Sequence, residues 1–255
     1  TNKAVYAPAG TYLLNFLNVP SNTFLFGDGF NTIIKPLTPD VRCALGADSG
    51  SASTYIENIT IQNIRFLGDV FSVGFNEQKH LTSFNGVKNL LIQACYFIGF
   101  RGDGIYLGSG NTAGQERHNV GVSIKDCVFD GINNNNRNGI SVIDVDDILI
   151  FNNVFQNTTK TGMPGAIDFE PNSVFSVIKN VLVFGNTFSA IGGDSCIVVN
   201  TATAGVLTFP LSNYNIQNNI FNSSVTSTQT LAFNTAENVA TVGNMGINIS
   251  ENYFL

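Results

Sequence analysis

The chain has 255 residues, 44% of them hydrophobic and 12% charged, which suits an ordered core and excludes a disordered segment. Its net charge of −6 at pH 7 argues against nucleic acid or an anionic membrane surface as partner. No apolar run approaches the roughly 18 residues of a membrane span, so membrane insertion is not expected.

Residues 1–50 read as opening coils of short strand-like runs, and residues 51–255 as regular coils of one domain. Seven phenylalanines punctuate the regular part, at positions 66, 97, 129, 155, 188, 221 and 254, mostly 31 to 33 residues apart. Each closes the same phrase, as in Ile59-Thr-Ile-Gln-Asn-Ile-Arg-Phe66, Val122-Ser-Ile-Lys-Asp-Cys-Val-Phe129 and Tyr214-Asn-Ile-Gln-Asn-Asn-Ile-Phe221. The alternation of apolar residues is a strand signature with one column turned to a core. Three residues before the Phe stand Asn63, Asp126, Asn152, Gly185 and Asn218, types that tolerate left-handed backbone. The phrase is therefore strand, bend, strand.

A third strand recurs between phrases: Gly104-Ile-Tyr-Leu107, Gly139-Ile-Ser-Val142, Ala166-Ile-Asp-Phe169, Cys196-Ile-Val-Val199 and, more weakly, Thr230-Leu-Ala-Phe233. Three strands per coil of roughly 30 residues, with loops of unequal length, predict an all-β solenoid, the right-handed parallel β-helix. Two residues before the Phe stand Ile64, Cys95, Cys127, Asn153, Asn186, Asn219 and Asn252. The four asparagines predict an interior ladder passing amide hydrogen bonds from coil to coil. Cys95 and Cys127 fall one coil apart in that ladder and read as buried free thiols rather than a disulfide.

The run from Val5 to Leu14, with Pro8-Ala-Gly-Thr-Tyr12 inside it, is followed by Gly27-Asp-Gly29. This resembles the opening of pectate-lyase-like β-helix proteins, where a Pro-x-Gly-x-Tyr strand precedes a Gly-x-Gly coil. Within that superfamily the chain is most similar to the β-helix domains of bacteriophage tailspikes and appendages. The resemblance implies a bacterial surface polysaccharide as partner, a homotrimer, and an extracellular place on a virion tail or appendage, or alternatively secretion. The family's acidic loop and short capping helix before the first coil are missing, so a segment of a longer polypeptide is expected. Plant-type polygalacturonase motifs (Gly-His-Gly, Arg-Ile-Lys) are absent, and the Trp-dependent pectate lyase motif cannot occur in a chain without Trp.

Aligning the third strands on Ile105, Ile140, Ile167, Ile197 and Leu231 places Tyr106, Ser141, Asp168, Val198 and Ala232 in one outward column. The next outward column holds Gly108, Ile143, Glu170, Asn200 and Asn234. Asp168 and Glu170 then share one face with Cα atoms about 6.5–7 Å apart. Mutual repulsion raises one pKa of such a pair and leaves an acid beside a base, the requirement of glycoside hydrolysis. The phrase Gly165-Ala-Ile-Asp-Phe-Glu-Pro171 also resembles an element recurring in phage β-helix proteins. Asp168 and Glu170 are the candidate catalytic pair, with Tyr106, Ser141, Asp144, Asn200, Arg137 and Lys160 as candidate substrate-binding residues. Hydrolysis needs no cofactor.

Three alternatives stay open: a non-catalytic adhesin or shaft, a calcium-dependent lyase or epimerase, and an ordinary solvated strand face. Asp144, Asp146 and Asp147 are possible calcium ligands, although Asp146 and Asp147 suit a turn equally well. Asp103, between Gly102 and Gly104, reads first as a turn residue. His80 and His118 are available as cations without a motif around them.

Overall fold

The computed structural model describes residues 3–50, 53–110, 117–201, 207–209, 211–222, 229–234 and 246–255. Strands from successive coils pair in parallel to form three ladders. The first holds Val87–Gln93, Asn119–Lys125, Val145–Phe151, Ile178–Phe184, Ser212–Gln217 and Ile247–Ser250. Its neighbour across the bend holds Tyr96–Ile98, Val128–Asp130, Val154–Gln156, Thr187–Ser189, Ile220–Asn222 and Tyr253–Phe254. The third ladder runs from Leu17–Asn18 through Leu45–Asp48, Thr82–Asn85, Ile105–Gly108, Ile140–Val142, Gly165–Phe169 and Ser195–Asn200 to Leu231–Asn234. The chain is a parallel β-helix. In the opening coils the long strands Thr23–Pro36 and Ile56–Leu67 run straight through the bend, and Lys3–Ala7 and Gly10–Leu14 pair against the former. The helical content among the described residues is one turn, Val70–Val73, and no helix is long and apolar enough to cross a membrane.

The bend forms where left-handed residues were expected. Asn63, Asp126, Asn152, Gly185 and Asn218 have φ between 53° and 68°. Ala94 and Glu251 occupy the same column at φ 51° and 55°, so the coil imposes this conformation on side chains that disfavour it. A second left-handed column stands just before the first apolar residue of each phrase: Asn58, Asn89, Gly121, Asp147, Asn180, Asn213 and Gly246, with φ from 55° to 70°. Asn22 continues it into the opening coils at φ 60°. The sequence reading passed over this column.

Inside, the phenylalanines stack face to face. Centroid separations from Phe66 to Phe221 run between 4.7 and 5.0 Å, and Phe254 closes the stack at 5.4 Å. Coil spacing in a parallel sheet sets that distance, so the rings make dispersion contact without departing from the ladder. The asparagine ladder forms beside them. Oδ1 of Asn186 accepts the backbone N–H (2.9 Å) and Nδ2 (3.0 Å) of Asn153, and Asn219 and Asn252 repeat the pattern. Each Nδ2 also donates to a carbonyl of the preceding coil, as Asn186 does to Ile150 O at 2.9 Å. Cys95 and Cys127 are free and buried at the head of this ladder, and burial pushes the Cys127 thiol well up.

On the third ladder, the coils close up at the start of the strand Gly165–Phe169. A Cβ at Gly165 would lie 2.5 Å from Ser195 O, a contact that only glycine avoids.

Candidate functional site

The third ladder pairs Ile105 with Ile140, Ile140 with Ile167, Ile167 with Ile197 and Ile197 with Leu231. Its outward column is therefore Ser83, Tyr106, Ser141, Asp168, Val198 and Ala232. On a strand with one face in the core, such a column ordinarily meets water. Here Ser141 and Asp168 have no exposed surface and Tyr106 is only partly exposed. The solvated strand face is thereby excluded at these positions.

What covers them is a polar cluster centred on Arg137, which lies in the turn before the Ile140 strand. Its Nη1 donates to Ser141 Oγ at 2.8 Å and lies 3.4 Å from both oxygens of Asp103. Nη2 donates to Glu170 Oε2 at 2.8 Å and lies 3.4 Å from Asp168 Oδ2. On its outer side Nε is 3.3 Å from Glu77 Oε1. Asn138 reinforces the arrangement: Nδ2 donates to Ser141 Oγ (2.8 Å) and Asp168 Oδ2 (3.2 Å), and its backbone N–H donates to Asp103 Oδ1 (3.2 Å). His80 places Nδ1 3.0 Å from Asp103 Oδ2 and stacks its ring on Tyr106 at 4.7 Å.

The carboxyls of this cluster are not equivalent. Burial works to raise Asp103, but the charges of Arg137 and His80 outweigh it and hold the group below its ordinary value. Asp168 is pushed up to about 8, first by burial and then by Glu170, with Arg137 opposing. Its Oδ1 is buried and has no hydrogen-bond partner among the described residues, which is where a proton would reside. Arg137 is held protonated: burial opposes its charge, but Asp103, Asp168, Glu170 and Glu77 together outweigh that. The cluster thus holds Asp103 toward its ionised form and Asp168 toward its neutral form, and leaves Glu170 with 13% of its side chain exposed.

Among the residues singled out in the sequence, Asp168, Glu170, Arg137, Ser141 and Tyr106 come together. Lys160 does not; it is exposed, with its ammonium 4.8 Å above the Phe75 ring. Asp144 is fully buried after the Ile140 strand, accepting from Ser109 Oγ (2.6 Å) and Val177 N–H (3.0 Å) beside His118 Nδ1 (2.8 Å). It is a holder of His118 and of two loops rather than a groove wall. Asp146 turns to Lys179 at 3.1 Å and Asp147 takes left-handed backbone, so the three acids do not converge. Among the described residues no three His, Cys, Asp or Glu side chains gather as a metal site. Sequence reasoning put Asp103 in a turn and gave His80, Asn138 and Glu77 no place in the site. The two glycines flanking Asp103 were the available signal, since they let the backbone bring that carboxylate inward.

Two clefts flank the cluster on the same outer face. One, of about 260 Å³, is lined by the apolar Phe16, Val41 and Cys43 and by Asn15, Arg42, Asp48, Ser83 and Asn85. The other, of about 300 Å³, is lined by Asp194, Ser195, Val198, Asn200, Ala232 and Asn234 among others, with Asp194 exposed. Asn200 thus stands in the second cleft, away from Arg137.

No protein-family model matches the chain, and no curated protein is similar to it. Solved structures are. The pre-mature form of bacteriophage phi29 gene product 12 matches at TM-score 0.51 and 18% identity over 85% of this chain. This chain spans only 33% of that protein's length. The Streptococcus pneumoniae surface protein and adhesin PfbA matches at TM-score 0.41 and 12% identity, over 98% of this chain and 89% of its own. The A-module of Azotobacter vinelandii mannuronan C-5 epimerase AlgE4 matches at TM-score 0.41 and 14% identity, over 99% of this chain and 87% of its own. The likeness to gene product 12 is one of fold.

Proposed function

We propose that the outer face of the third ladder binds a bacterial surface polysaccharide lengthwise, in an extracellular protein of a virion appendage or a cell surface. The observation that carries this reading is the placement of two clefts, in line, on either side of the Arg137 cluster. From Ser83 to Val198 is four coil steps, roughly 19 Å, a run suited to several sugar units of an extended chain. A polymer of hydroxyl-rich units matches Asn85, Tyr106, Asn200 and Asn234, which keep exposed surface along a rigid sheet. Trimeric assembly belongs to the same reading and is checked by sedimentation of the purified chain.

A second reading, hydrolysis of the bound glycan, is favoured by the proton that Asp168 keeps at neutral pH beside Glu170. In it Asp168 is the general acid and Glu170 the base. Because Asp168 has no exposed surface, the bound chain must first draw Arg137 aside.

The test follows chain length and new reducing ends on a panel of bacterial surface polysaccharides, for wild type and Asp168→Asn/Glu170→Gln. Binding by both without shortening establishes the binder and removes hydrolysis. Shortening by wild type alone establishes the acid–base pair. Unsaturated ends that vanish in chelator point instead to a calcium-dependent lyase, and binding of no glycan by either protein overturns the proposal.

A further inference from the structure

The cleft at the opening-coil end is chemically unlike the other. Its one acid, Asp48, is already engaged: Oδ1 accepts from Gly50 N–H at 2.8 Å and pairs with Arg117 Nη2 at 3.3 Å, and Oδ2 accepts from Asn85 Nδ2 at 3.2 Å. Arg42, by contrast, is exposed, and no carboxylate pairs with it among the described residues. Its guanidinium carbon lies 6.0 Å from the centre of the Tyr106 ring, which places the cation at the boundary between the cleft and the Arg137 cluster. In a chain of net charge −6, this is a local positive site facing a cavity of mixed polar and apolar lining.

Opposite stands Phe16, 40% exposed and held at φ 54°. A bulky residue in left-handed backbone is strained and persists only where its surroundings fix it. Its ring closes over Gly46, where an added Cβ would lie 3.0 Å from Phe16 Cε2. The cleft therefore presents an aromatic face, a guanidinium with no carboxylate partner among the described residues, and the amides of Asn15 and Asn85.

We propose that this cleft is a subsite for an anionic sugar unit, its carboxylate or phosphodiester oxygens on Arg42 and its ring against Phe16. The proposal rests on the reading that the third ladder binds a glycan, and makes Arg42 the residue that selects acidic polymers. A guanidinium meets either anion with paired N–H donors, so the two sources share one recognition chemistry.

The experiment is calorimetric titration with polygalacturonate, poly(glycerol phosphate) and neutral dextran against wild type, Arg42→Ala and Arg42→Lys. Wild type is expected to bind one of the two anionic polymers more tightly than dextran, and the polymer bound identifies the anion. Arg42→Ala should weaken that binding roughly tenfold and flatten its salt dependence, and Arg42→Lys should recover part of the loss. Equal affinity for dextran, or an Arg42→Ala affinity unchanged from wild type, overturns the subsite while leaving lengthwise glycan binding in place. Failure to bind any polymer, these three or the surface-polysaccharide panel, overturns both.

Discussion

Two polar columns run along this helix, one inside and one outside, and they are built on opposite principles. The inner column repeats one residue, and each of Asn153, Asn186 and Asn219 hands its hydrogen bonds to the next coil. The outer column changes along the axis, from Ser83 through Tyr106, Ser141 and Asp168 to Val198, and two of its members, Ser141 and Asp168, are tied together by one arginine from a turn. Repetition satisfies every group and leaves nothing to offer a ligand. Variation leaves buried atoms such as Asp168 Oδ1, Asn138 Oδ1 and His80 Nε2 without partners among the described residues, a cost of about 1–3 kcal/mol each that a purely structural column avoids.

The largest effect is expected from Arg137→Met. It removes the guanidinium from Asp103 and leaves that buried carboxylate to His80 and the Asn138 N–H, and breaking a buried pair in this way costs about 3–5 kcal/mol. Denaturant unfolding of the variant checks this, and a loss under about 1 kcal/mol would mean that water reaches the cluster. Next comes the inner column. Asn186→Ala leaves the backbone N–H of Asn153 unpaired in the core, leaves its Nδ2 with Ile124 O alone, and should cost about 2–4 kcal/mol. Cys127→Ala, two coils earlier in the same column, removes a weakly bonding thiol and should cost about 1 kcal/mol. Equal losses at the two positions would show that the amide ladder adds nothing beyond packing.

Last, and opposite in sign, comes Asp168→Asn: at neutral pH the unfolded carboxyl ionises while the folded one is held toward its protonated form, so the replacement should raise stability there relative to wild type. The pH dependence separates it from Asp103. Asp168 has a folded pKa raised to about 8, so its contribution is full below the ordinary carboxylate value and is lost as pH climbs to about 8. Wild type should therefore lose stability relative to Asp168→Asn between about pH 4 and 8, and no further above that. Asp103 has a depressed pKa, so its contribution is present above the ordinary value and lost as pH falls through the folded one. Asp103→Asn should accordingly be costly at pH 7 and progressively less so in acid. Unfolding curves at several pH values check both, and parallel trends for the two variants would contradict the assignment of the proton.

The repeat made most of the fold legible. Phe66, Phe97 and their successors mark the coils, and the register through Ile105, Ile140 and Ile167 fixes which side chains share the outer face. A second left-handed column was written just as plainly: Asn58, Asn89, Gly121, Asp147, Asn180, Asn213 and Gly246 all precede the phrase by one residue, and all are types that adopt that conformation. The site was legible only in part. Asp168 and Glu170 could be placed on one face because strand periodicity is local. That face's burial could not, because it depends on where the turn carrying Arg137 and Asn138 folds, and turns have no period. For the same reason Asp144 was assigned to a groove although it lies under the loop that brings Val177 against it.

The measurement that tests the central claim most directly is glycan binding by two tryptophan variants placed on different ladders. Asn234→Trp fills the far cleft of the third ladder, and Leu182→Trp adds the same bulk to the exposed face of the first. Against the bacterial surface polysaccharide that wild type binds best, the first variant should lose binding and the second should keep it. Retained binding in Asn234→Trp with loss in Leu182→Trp would place the ligand on the wrong side of the helix and contradict the account.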